Sequence, residues 1–408
     1  TIASTASSVS AVGGSLVNFQ STLTTNTSTT EGTVVFTLAF QDPAGNTATA
    51  NASTDGSSVI FDRTTPLMSY ARMASNNDNP LYAKVGSLVT LSFKATDRLK
   101  GTPVVTMFGN AATSSGSNAD SIWTAIYTMG AGLADGDVPF TLDFTDLAGN
   151  AGTQLTAVSN DPDGVVIYDE VLPTLTTVSI TSNNSNGNTL AKVDDVITLT
   201  IVSSENIQTP TAVIAGRTDA DAASLTDATT GQALYTSTYT MQSGDTEGNV
   251  TFTIDYSDLA SNAGAQATAL VNDADGSGIT FDKTAPTFTV VTISSNNTDN
   301  TIAKVGDVIT ISLTASEAIK TGADPAVTIN GNNASVTRNS TTSFTATYTM
   351  TTTDIPDPPD NIASIGFSVS GYQDVVGNTG SEVTSTTDGV TIKFDPVEYG
   401  FVFTLFAK

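Results

Sequence analysis

Apolar and polar residues alternate with a period of two over much of this chain. Val250, Phe252, Ile254 and Tyr256 alternate with Thr251, Thr253, Asp255 and Ser257. Val138, Phe140, Leu142 and Phe144 repeat the pattern, as do Val34, Phe36, Leu38 and Phe40. Successive side chains of a strand point to opposite faces, so each run predicts a strand with one apolar face. Each run ends at a turn: Asp42-Pro43-Ala44-Gly45-Asn46, with counterparts from Asp146, Asp258 and Asp374. There the Asp side chain can bond its own backbone and Gly supplies a positive φ. In the last copy Phe367 and Val369 are followed by Tyr372, one residue late, with Gly371 between, which predicts a β-bulge. Val196–Ile201 and Val308–Leu313 predict a second kind of strand, and no segment carries a convincing period of 3.6.

Three markers recur in fixed order. The first is Phe61-Asp62-Arg63-Thr64-Thr65-Pro66, then Tyr168-Asp169-Glu170-Val171-Leu172-Pro173, then Phe281-Asp282-Lys283-Thr284-Ala285-Pro286, with a shorter Phe394-Asp395-Pro396. The second is Ala-Lys-Val from Ala83, Ala191 and Ala303, and the third is the Asp-headed turn. They return about every 110 residues, each repeat holding about seven short strands. The expected fold is all-β: tandem immunoglobulin-like β-sandwiches in an elongated array. Complete domains are expected at 63–170, 171–282 and 283–395, with an incomplete domain at 1–62 and a tail at 396–408.

The Ala-Lys-Val-Gly-Asp lead into strand B resembles bacterial Ig-like repeats. So do Ser204-Glu205 and Ser316-Glu317 after that strand, the Asp-x-Ala-Gly-Asn turn, and the closing Phe-Asp-x-Thr-x-Pro. The resemblance covers residues 63–395, with Thr96-Asp97 replacing Ser-Glu and Gly86-Ser87 replacing Gly-Asp in the first copy. It implies an extracellular or cell-surface setting. It leaves function open, because this fold serves as spacer, adhesin and filament alike.

Composition narrows the chemistry. Fourteen Lys+Arg stand against 40 Asp+Glu, a formal charge of −26, so a phosphate backbone is repelled and nucleic acid is excluded as a partner. Cys and His are both absent, which removes disulfides, thiolate chemistry and the commonest general base. No catalytic constellation is present and no enzyme is expected. Asp194-Asp195 does not make a glycosidase pair, because neighbours in a strand face opposite ways; it reads as a solvated strand start. The single Trp123 argues against a Trp-built sugar platform, and the Asn-x-Ser/Thr sequons are no more frequent than chance. No apolar run is long enough for a membrane span.

Calcium is the one cofactor to weigh. Asp55-Gly56, Asp161-Pro162-Asp163-Gly164, Asp273-Ala274-Asp275-Gly276 and Asp388-Gly389 match no calcium loop and read as tight turns. Asp62, Asp169 and Asp282 are stronger candidates for an inter-domain Ca²⁺, since Asp97, Glu205 or Glu317 of a neighbouring domain could join them. The competing reading is a carboxylate that caps a strand end before a proline-fixed linker.

The two ends differ from the middle. Thr1-Ile2 aligns with Thr328-Ile329, so the first domain is expected to begin at strand C and to lack A and B, whether Thr1 is a processed terminus or a cut. The tail is apolar on both faces: Phe401, Phe403 and Leu405 on one, Val402 and Phe406 on the other. Such a strand favours burial. Both anomalies are joined if the tail of one copy is a donor strand, resembling donor-strand complementation in pili, against the acceptor core Phe36, Leu38 and Phe40 of the next. The chain would then be a head-to-tail homopolymer, the structural subunit of an extracellular filament. The alternative is a stalk fragment of a large cell-surface adhesin, or an S-layer component, with a host or surface ligand as partner and the tail as strand A of a further domain.

Overall fold

The structure is a computed structural model and describes residues 1–13, 17–161, 164–217, 224–227, 234–273, 278–354 and 362–396. The tail residues Phe401, Val402, Phe403, Leu405 and Phe406 lie outside the described residues. The chain divides into two compact units: Thr1–Leu172 together with Leu259–Asn262, and Pro173–Asp258 together with the chain from Ala263 onward. Every regular element among the described residues is a strand, apart from one 3₁₀ turn at Thr352–Asp354. None of them is a helix long and apolar enough to cross a membrane.

In the first unit one sandwich is built from strands A Met68–Ser75, B Leu88–Ala95, C Val104–Met107, D Thr113–Ser117, E Ile122–Thr128 and F Phe140–Asp143. One sheet runs D-E-B-A; C pairs with F in the facing sheet. The A-B-E-D sheet and the C–F pair follow the order of an immunoglobulin constant-type sandwich, while the last strand, Ile167–Tyr168, pairs with Gly136–Asp137 and Tyr82–Ala83. The second unit repeats it twice. Its first sandwich has A Leu175–Ser182, B Val196–Ser203 and E Leu234–Thr240; its second has A Phe288–Ser295, B Val308–Ala315 and E Ser343–Thr349. Tandem immunoglobulin-like β-sandwiches are therefore the architecture of this chain.

The period-two pattern explains each core. Val89, Leu91 and Phe93 of strand B are fully buried, as are Ile197, Leu199 and Ile201, and Ile309, Ile311 and Leu313. The residues facing them across the ladder follow a rule of their own. Phe93 pairs with Trp123 and Leu91 with Ala125; Ile201 pairs with Tyr235 and Leu199 with Ser237; Leu313 pairs with Phe344 and Ile311 with Ala346. An aromatic and a small residue alternate on strand E, so the large residues of B face first a ring and then a small side chain along the ladder.

Strand F closes each core against its turn. The ring of Phe144 lies so tightly over Gly152 that a Cβ there would sit 2.2 Å from it, and Tyr256 lies over Gly264 in the same way. Tyr372 does the same over Gly380 although it comes one residue late. The strand ends at Ser370, and Gly371 at φ +74° takes up the extra residue that the sequence pattern placed there.

The first domain is built from the same parts with two strands fewer. Val9–Ala11 pairs with Phe19–Ser21, as D pairs with E elsewhere, and Ile2 bridges Phe36 as Ile329 pairs with Phe367. Gly32–Thr33 pairs with Ile60–Phe61, and Leu38–Gln41 with Thr47–Ala50. Among the described residues no strand occupies the A or B position beside Phe19–Ser21.

Candidate functional site

The missing strands leave an open apolar groove in the first domain, of about 780 Å³. Ile2, Val9, Phe19, Val34, Phe36, Leu38 and Val59 wall it. Residues that are interior elsewhere lie open here. Leu38 is 42% exposed whereas Leu142, at the same place in the repeat, is 0%. Phe19 is 61% exposed against 0% for Phe344, and Val59 is 68% against 0% for Val166. One edge of the groove is backbone. Val12 donates its N–H to the Asn18 carbonyl at 2.8 Å, so the alternate residues Phe19 and Ser21 turn their N–H and C=O groups toward the open side. A groove with apolar walls and an unpaired strand edge is a receptor for one more β-strand.

Of the three expected acceptor residues, Phe36 and Leu38 stand in the groove wall and Phe40 does not. The reason is local. Ala48 occupies the place of Gly152, Gly264 and Gly380, and it pairs directly across the ladder from Phe40. The ring therefore has no bare backbone to lie on and points into solvent, 54% exposed.

The Asp-headed turns form the second candidate. Asp374 Oδ1 accepts the N–H groups of Gly377 and Asn378 at 2.7 and 2.8 Å, and its Oδ2 accepts Asn378 Nδ2 at 2.8 Å. Asp146 holds Gly149 and Asn150 in the same way. The turn Asn also reaches the carbonyl of a junction Asp. Asn150 donates to Asp62 O at 3.2 Å and Asn378 to Asp282 O at 3.1 Å. Within the first unit, Asn262 donates to Asp169 O at 3.0 Å.

In the second unit this turn brings three carboxylates together. Asp282, Glu317 and Asp374 each place one oxygen within 4.8 Å of the others, so together they could supply three of the six to eight oxygens that a hard cation such as Ca²⁺ takes. Burial, followed by the charges of Asp282, Asp374 and Glu247, pushes Glu317 above the ordinary carboxylate range. Burial likewise raises Asp282, with Asp374 and Glu247 adding to it and a hydrogen bond from Thr284 N opposing it. Asp62 joins no such group among the described residues. Asp97 is one methylene shorter than Glu317 and is held by Thr96 Oγ1 at 2.7 Å. All three junction aspartates also cap the linker, accepting an N–H two residues on: Thr64 at 3.0 Å, Val171 at 3.0 Å and Thr284 at 2.9 Å.

Asp55 and Asp388 make the same short-range bonds, to Ser57 N at 2.9 Å and Val390 N at 3.0 Å, as tight turns should. Asp163 and Asp275 lie outside the described residues. Asp195 corrects the reading of Asp194-Asp195 as a solvated pair. Asp194 sits at φ +74°, while Asp195 Oδ2 accepts Asn184 Nδ2 at 2.6 Å and Lys192 N at 2.8 Å. Asn184 and Lys192 then reach the Val376 and Gly377 carbonyls at 3.0 and 3.1 Å. Sequence reasoning singled out Ala-Lys-Val and the Asp-headed turn as repeat markers and missed that Lys192 and the Asp374 turn fasten one sandwich to the next. The recurrence of Asn184 and Lys192 as Asn77 and Lys84 was the available signal.

No family model and no curated protein matches the chain. Solved structures similar to it include Rst D1-D2, at 14% identity and a TM-score of 0.25, covering 52% of this chain and 100% of that one. An ICAM-5 D1-D4 ectodomain fragment gives 14% identity and a TM-score of 0.29, covering 87% and 83%. A marsupial T cell receptor gives 10% identity and a TM-score of 0.30, covering 78% and 99%. At these scores the likenesses carry no argument of their own, and the immunoglobulin-like assignment stands on the strand order of this chain.

Proposed function

We propose that this chain is a non-enzymatic structural subunit of an extracellular filament, and that it polymerises head to tail. Residues 401–406 of one copy lie as a strand in the first-domain groove of the next. The observation that carries the reading is that groove, in which Phe19, Leu38 and Val59 are open to solvent while their counterparts are interior. The tail supplies what the groove lacks: Phe401, Phe403 and Leu405 on one face, at the spacing of alternate strand residues. The absence of Cys suits an assembly held by strand pairing and packing instead of covalent bridges. Deleting residues 397–408 is expected to abolish polymers seen by negative-stain microscopy. Phe403→Asp is expected to do nearly the same, because it places a carboxylate in an apolar wall. Normal filaments from either variant would refute the reading.

The carboxylates of Asp282, Glu317 and Asp374 favour a second reading, in which Ca²⁺ stiffens a stalk of tandem sandwiches at a cell surface. The two are compatible, since a filament subunit also gains from a fixed junction.

A further inference from the structure

The head-to-tail reading leaves open which surfaces meet, and this proposal rests on it. We infer that the end of the last sandwich bearing Asn297, Lys304 and Asp395 docks on the Asp42–Asn46 turn of a second copy, repeating the junction the chain builds within itself.

That junction has a fixed pattern. In the second unit Asn184 and Lys192 donate to the Val376 and Gly377 carbonyls at 3.0 and 3.1 Å, and Asn378 donates back to Asp282 O at 3.1 Å. Within the first unit Asn77 donates to Ala260 O at 2.7 Å, Lys84 to Ser261 O, and Asn262 back to Asp169 O at 3.0 Å.

The last sandwich carries the donor half, set in the same way. Asp307 Oδ2 accepts Asn297 Nδ2 at 2.6 Å and Lys304 N at 2.8 Å, as Asp195 accepts Asn184 and Lys192. Asp395 N donates to Ala303 O at 2.8 Å, as Asp282 N donates to Ala191 O at 2.9 Å. The first domain carries the acceptor half. Asp42 Oδ1 accepts Ala44 N and Asn46 N at 2.9 Å, and Asn46 Nδ2 donates to Asp42 Oδ2 at 2.8 Å. Yet Asp42 is exposed, whereas Asp146, Asp258 and Asp374 are buried. One chain thus bears both halves of a contact that it makes internally.

Spacing ties this contact to the groove. Phe401 is the sixth residue after Asp395, as Met68, Leu175 and Phe288 are after Asp62, Asp169 and Asp282. Each of those three packs on the core of the sandwich it enters. A tail leaving a junction of this geometry delivers Phe401 where strand A delivers its first side chain, Met68, Leu175 or Phe288.

The natural absence of Cys makes the test clean. Asn297→Cys with Ala44→Cys, treated with a short bis-maleimide, is expected to give a ladder of covalent multimers. Asn184→Cys with Val376→Cys, the internal counterpart, should link within one chain, and Asn297→Cys with Asp55→Cys should give no ladder. Lys304→Glu is expected to weaken end-to-end association at least tenfold in sedimentation, with circular dichroism still that of the folded β-sandwiches. Filaments that persist while the matched pair stays unlinked would overturn this inference and leave strand insertion standing. Matched cysteines that link only within one chain would overturn it as well. Failure of the unmodified chain to polymerise at all would overturn both.

Discussion

The first domain and the three sandwiches that follow it use the same residues at the same places and bury them differently. Leu38 corresponds to Leu142, Phe19 to Phe344 and Val59 to Val166, and in each pair the first is in solvent and the second is interior. Sequence pattern alone therefore does not bury a residue. Burial also needs the opposite layer, and two strands supply most of it. The difference also marks the open domain out, because its apolar residues line a groove where the closed sandwiches bury theirs.

The largest expected effect comes from substituting equivalent residues on the two sides of this comparison. Leu142→Ala should destabilise its sandwich by about 2–5 kcal/mol, the usual cost of a cavity at a fully buried leucine. Leu38→Ala in the tail-deleted chain should change stability by no more than about 0.5 kcal/mol, as at a surface site. Hydrogen exchange resolved by domain measures both. A large cost for Leu38→Ala in the monomer would mean that the groove is closed without a donor.

Next in size is the glycine beneath strand F. Gly264→Ala puts a methyl into the Tyr256 ring and should cost about 1–3 kcal/mol by thermal unfolding. Ala48→Gly, the reverse change in the first domain, should cost less than about 1 kcal/mol, from backbone entropy alone.

Smaller effects are expected at the carboxylate junction. Glu317 and Asp282 have folded pKa values raised above 4.5 and 3.8, so the native state binds more protons than the unfolded state just above those values. The destabilisation is complete at neutral pH and is relieved as pH falls through the raised folded values. Calorimetry should show the second unit gaining stability as pH drops from 7 toward the raised folded values. The Asp62 junction, which joins no such cluster among the described residues, should contribute no gain. Glu317→Gln should flatten this dependence. Millimolar Ca²⁺ at neutral pH should raise the unfolding temperature of the second unit in the unmodified chain and not in Glu317→Gln. Equal responses of both proteins would remove the junction as a cation site.

Most of the fold was legible because the period of two is undiluted: Ile197, Leu199 and Ile201 leave no choice of face. The extra residue at Gly371 was legible for the same reason, since Tyr372 falls out of step with Val369 by one residue. For Phe40 the alternation says which face a ring takes and nothing about the residue across the ladder, where Ala48 stands in place of glycine. Lys192 was visible only as part of the Ala-Lys-Val marker and Asn184 not at all, because a side chain that bonds a carbonyl far along the chain leaves no local pattern.

The most direct test is hydrogen exchange at the amides of Phe19 and Ser21, whose backbone edge faces the groove. If the tail of another copy pairs there, both amides should be protected by orders of magnitude in the assembled protein and exchange rapidly in the tail-deleted chain. Equal, rapid exchange at both positions in filaments and in the tail-deleted chain would contradict the account.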